Sequence, residues 1–109
     1  MPRDHVPFSQ ADKAVDFFKN NAKEYGELVA KCKYLEHKRN VIRKQKELES
    51  NKKTVSERQA EAETGEEYLE VIEEIQNTWA DKTTLETQMK AAEMTFDLYR
   101  SSNKWGGSL

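Results

Sequence analysis

Apolar residues recur along this chain in steps of three, four and seven, in two long series separated by a polar stretch. The first series is Ala14, Phe18, Tyr25, Leu28, Cys32, Leu35 and Ile42, widened by Val15, Ala22 and Val29. Such spacing puts side chains on one face of an α-helix, and it predicts a helix over about residues 10–48. At ~1.5 Å per residue that helix is about 60 Å long. Asn21, Arg39 and Lys46 also fall on the stripe, so its apolar character fades toward the end. The second series is Tyr68, Ile72, Ile75, Trp79, Leu85, Met89, Ala92, Phe96 and Tyr99, with Leu69 and Val71 beside it. It predicts a helix over about residues 66–101, interrupted at Asp81-Lys82-Thr83-Thr84, where Lys82 takes a stripe position.

The punctuation between the series fits this reading. Pro2 and Pro7 bracket an irregular arm, residues 1–8, and no later proline interrupts a helix. Ser9 is a good helix N-cap, with Asp12 three positions on. Residues 49–53 are polar and read as a turn. Thr54 with Glu57, and Thr64 with Glu67, each have the T-x-x-E form of a capping box. Together they predict a short helix at 55–63, a break at Gly65 and a fresh start. Residues 102–109, with Gly106-Gly107, read as a flexible tail. The predicted fold class is all-α: one domain over residues 9–101, a long antiparallel, coiled-coil-like helical hairpin with a short connecting helix. Its aromatic stripes (Phe17, Phe18, Tyr25 and Tyr34; Tyr68, Trp79, Phe96 and Tyr99) exceed what one partner helix covers. This predicts self-association, most simply a dimer forming a four-helix bundle.

Charge changes the picture in one respect. Charged residues make up 35% of the chain and hydrophobic ones 36%, a composition suited to a narrow helical seam rather than a broad core. The net charge of −2 gives no overall pull toward nucleic acid or membrane. The charges are nevertheless segregated, with a basic block at 31–53 and an acidic block at 57–74. One reading pairs the blocks across the hairpin, fixing its orientation and register. The other makes the basic block a phosphate-tracking surface of Arg39, Arg43, Lys44 and Lys46, supported by Lys52 and Lys53. Candidate partner contacts are Phe17, Tyr34, Trp79 and Trp105. The Trp105 indole, in the tail, either folds back onto the hairpin or anchors a partner.

Catalytic signatures do not appear. The sequence has no phosphate-binding glycine loop, G-x-S-x-G or H-E-x-x-H, and neither His5 nor His37 has a second metal ligand at suitable spacing. Cys32, the one cysteine, falls on the seam and reads as a small buried hydrophobe. Glu66, Glu67, Glu70, Glu73 and Glu74 read as a solvated or ion-paired face. No cofactor is expected. The N-terminal residues lack the apolar core of a signal peptide, and no apolar run reaches the ~20 residues of a membrane span, so a cytoplasmic location is expected.

Several short motifs lie in the second half of the chain: Thr54-Val55-Ser56-Glu57-Arg58, Tyr68-Leu69, Ala91-Ala92 and Arg100-Ser101-Ser102. In these, about half of the chain resembles small helical proteins of tailed phages. Most such proteins have no known function, and some lie near recombination and replication genes. The resemblance implies a helical accessory factor working in the host cytoplasm and carries over no catalytic residue. The sequence thus leaves three roles open: a self-associating helical interaction protein, a nucleic-acid-binding accessory protein, and an inhibitor of a host protein.

Overall fold

The two apolar series form two long helices in the computed structural model, which describes residues 6–107 and the side chains of residues 6–102. Helix α1 spans Phe8–Glu49, α2 spans Val55–Glu63 and α3 spans Glu66–Gly107. The chain is organised in two compact units, residues 1–26 with 83–109, and residues 27–82. Each unit sets a segment of α1 against an antiparallel segment of α3, so the fold is the all-α helical hairpin that the spacing predicts.

In the first unit the deepest positions are small. Ala11 and Ala14 of α1 are buried, with Val6 and with Leu85 of α3. Larger residues (Phe18, Tyr25, Met89, Phe96 and Tyr99) are half-buried along the same seam. Phe8 meets Tyr99 edge-on at 6.1 Å between ring centroids, and Phe96 lies 6.5 Å from Tyr99. Asn21, a polar residue at a seam position, donates from Nδ2 to the Phe17 carbonyl one turn back at 2.9 Å. The helix starts earlier than the Ser9 cap predicts. The Pro7 carbonyl accepts from the Gln10 and Ala11 amides, leaving Ser9 inside the first turn. Pro7 has no N–H to leave unpaired there.

In the second unit the core is Cys32, Leu35 and Ile42 of α1, Ala62 of α2, and Val71 and Thr78 of α3. The α3 seam therefore departs from the predicted stripe. Val71 and Thr78 are buried, while Ile72 is half-buried and Trp79 stays 46% exposed. Steps of three and four from Tyr68 through Val71, Ile75, Thr78, Lys82, Leu85, Met89, Ala92, Phe96 and Tyr99 run without interruption. Small β-branched side chains fill the two positions at which a more hydrophobic neighbour follows. Lys82 is half-buried at its seam position and extends over the Trp79 ring, 4.3 Å from the centroid.

The bend is held by local bonds. Thr54 caps α2 by accepting from the Glu57 amide at 3.1 Å. Ser50 donates to Glu61 at 2.6 Å and accepts from the Lys52 amide. Arg58 donates to the Lys52 carbonyl at 2.8 Å and to that of Lys53 at 3.5 Å. The break before α3 forms where it is predicted, but the second capping box does not. The Thr64 hydroxyl turns back to the Ala60 and Glu61 carbonyls, closing α2 instead of opening α3. Gly65 has no positive φ, so the break does not depend on a left-handed glycine. At the far end α3 runs through Gly107, past the predicted limit at Ser101, because no breaker precedes Gly106. Residues 1–5 of the predicted arm, residues 108–109 of the predicted tail and the Trp105 side chain lie outside the described residues.

Candidate interaction surface

Lining one face of a long helix with apolar side chains normally leaves the other faces polar. In the second unit α1 breaks this rule. Tyr34, Val41 and Leu48 recur at intervals of seven and are 62%, 48% and 88% exposed. Tyr34 and Val41 each stand one residue before a buried seam residue, Leu35 and Ile42, about 100° around the helix from it, and Leu48 continues the same line. Leu48 continues into a depression shared with Lys44, Glu47, Val55 and Arg58, where Val55 is also exposed. Of the candidate partner contacts, only Tyr34 lies on this stripe. The interval of seven would have revealed the other two.

On α3 a second outer stripe follows the seam positions by one residue: Leu69, Ile72 and Trp79. Leu69 and Trp79 are exposed and Ile72 is half-buried. Trp79, named as a candidate contact, thus faces outward. Phe17 belongs to the first unit and is half-buried, lining a depression with Gln10, Lys13, Ala14, Gln88, Ala92 and Thr95. In the same unit Met94 and Leu98 are also exposed.

The charged blocks do not pair as one reading predicts. Among the described residues, no cation of the basic block 31–53 forms an ion pair with a carboxylate of the acidic block 57–74. The basic block's ion pairs run along its own helix, Arg43 to Glu47 and Lys46 to Glu49, each at 3.8 Å. Arg39 and Arg43 are half-buried, whereas Lys44, Lys46, Lys52 and Lys53 are exposed. The series Arg39, Arg43, Lys46 follows the seam side of α1, so the six candidate phosphate contacts do not make one open face.

In the first unit, Tyr25 of α1 donates its hydroxyl to Glu86 of α3 at 3.0 Å. That hydrogen bond, with partial burial and the carboxylate's charge, raises the phenol pKa above its ordinary value. Among the described residues no group of three or more His, Cys, Asp or Glu side chains is placed to hold a metal ion, and no helix is long and apolar enough to cross a membrane.

Comparison with known proteins returns no match to a protein-family model, a curated protein or a solved structure.

Proposed function

We propose that this chain is a non-enzymatic, self-associating helical protein that works through protein contacts. The observation that carries this reading is the distribution of apolar side chains. Tyr34, Val41, Leu48, Val55, Leu69 and Trp79 stand exposed on helical faces, while the buried core among the described residues is made mostly of small and medium side chains. A helix pair with so lean a core gains stability by covering those faces. The resemblance of the second half to small tailed-phage proteins supports an accessory role in a phage.

Light scattering after size exclusion, across a concentration series, tests the reading. Species larger than the monomer that persist at high salt are expected. A monodisperse, well-folded monomer at high concentration would overturn it.

A second reading draws on the basic block, whose exposed lysines Lys44, Lys52 and Lys53 form no ion pair among the described residues. In that reading the protein binds nucleic acid through phosphates. Binding of a short single-stranded DNA should then weaken steeply as salt rises and be lost in an Arg43→Glu/Lys44→Glu variant. An unchanged affinity in that variant would exclude it.

A further inference from the structure

The two outer stripes of the second unit carry opposite charge. Beside Tyr34, Val41 and Leu48, at helical steps of three and four, lie Lys31, Lys38 and Lys44. Beside Leu69, at the same steps, lie Glu66 and Glu73, so the acidic character belongs to the Leu69 end of that stripe, while at its other end Lys82 lies over the Trp79 ring. None of Lys31, Lys38, Lys44, Glu66 and Glu73 forms an ion pair among the described residues.

The α1 stripe precedes its seam positions by one residue, and the α3 stripe follows its own by one. In two antiparallel right-handed helices, a step in the same sense along each turns side chains toward the same face of the pair. Steps in opposite senses turn them toward opposite faces. The basic apolar stripe and the acidic apolar stripe therefore lie on opposite faces of this unit, where they cannot meet within one chain. Each nevertheless complements the other in spacing, apolar character and charge.

We propose that the self-association is head-to-tail: the Tyr34–Val41–Leu48 stripe of one copy docks on the Leu69–Ile72–Trp79 stripe of the next. The occupant is a second copy of this chain because that copy supplies both the apolar cover and the opposite charge. A self-complementary dimer through the α1 stripe alone would instead set Lys31, Lys38 and Lys44 against the same lysines of its partner. A head-to-tail contact leaves one unused stripe of each kind on every pair, so assembly continues past the dimer into a ring or an open stack. This inference rests on the self-association proposed above and makes its interface specific.

Two surface variants separate the possibilities in sedimentation velocity. Val41→Glu/Leu48→Glu disables the first stripe, and Leu69→Lys/Trp79→Lys disables the second. All four positions are exposed, and unchanged helical circular dichroism confirms folding. The wild-type chain is expected to form species beyond a dimer, and each variant alone to be monomeric. An equimolar mixture of the two variants should give a one-to-one heterodimer and nothing larger, because only one intact pair of stripes remains. A wild-type chain that stays monomeric overturns both this inference and the self-association it rests on. Assembly of the wild type with the second variant still dimeric, or with no heterodimer in the mixture, overturns the head-to-tail interface and leaves self-association standing. If the Lys31→Glu/Lys38→Glu/Lys44→Glu variant assembles as the wild type does, the charge complementarity is overturned as well.

Discussion

Gly26 stands exposed in the interior of α1, and a Cβ built there has nothing within 4 Å. Its only effect on the folded chain is the conformational freedom it gives a helical backbone. Gly26→Ala should raise stability by about 1 kcal/mol, seen as a higher urea midpoint with an unchanged slope. Leu35 is the opposite case, 2% exposed in the seam of the second unit. Leu35→Ala should cost about 2–4 kcal/mol, measured by the same denaturation. Single positions were only partly legible in the sequence. Leu35, Ile42 and Cys32 could be read as core from their spacing. Val71 and Thr78 could not, because Ile72 and Trp79 beside them are equally helical in spacing and more hydrophobic. The choice was made by packing, in which the seam takes small branched side chains and the indole lies outside under Lys82.

Among the elements, α2 was fully legible, with its start and end at the predicted residues. A threonine N-cap is a local chemical signal and needs no tertiary partner. The second capping box failed because a threonine hydroxyl has two competing uses. Thr64 lies within reach of carbonyls one turn back and takes those instead. Residue 65 therefore begins α3 without a side-chain cap, its carbonyl accepting from the Leu69 amide. A Cβ at Gly65 would lie an ordinary 3.6 Å from the Ala62 carbonyl. Gly65→Ser should then stabilise the fold by a few tenths of a kcal/mol, the difference between serine and glycine caps, visible as a small rise in the thermal midpoint. The bend depends on Arg58, which ties two turn carbonyls. Arg58→Ala should cost about 1 kcal/mol and increase amide exchange across residues 50–58.

For the whole molecule, the hairpin was legible because two stripes of similar length flanked one polar break. The pairing of its charges was not. Opposite blocks brought side by side form salt bridges only when individual side chains meet, and here Arg43 and Lys46 find nearer carboxylates on their own helix. The outer stripe of α1 is harder to read from the sequence because two of its members, Val41 and Leu48, are aliphatic residues of a kind that also fills the seam. Self-association through these faces links stability to protein concentration. The thermal midpoint should rise as concentration is increased across the assembly range, and a midpoint independent of concentration would count against assembly in the folded state.

The stitched bend also bears on how the chain reaches its native state. Ser50 and Glu61 are 11 residues apart, whereas Tyr25 and Glu86 are separated by 61. Closing the longer loop from an open chain costs about 1.5 kcal/mol more in entropy. Once the contacts around Ser50 and Arg58 are made, each further layer of the seam closes only a small additional loop. The helices then zip from the bend toward the termini, so bend substitutions should slow refolding, while those near Phe8 and Tyr99 should mainly speed unfolding.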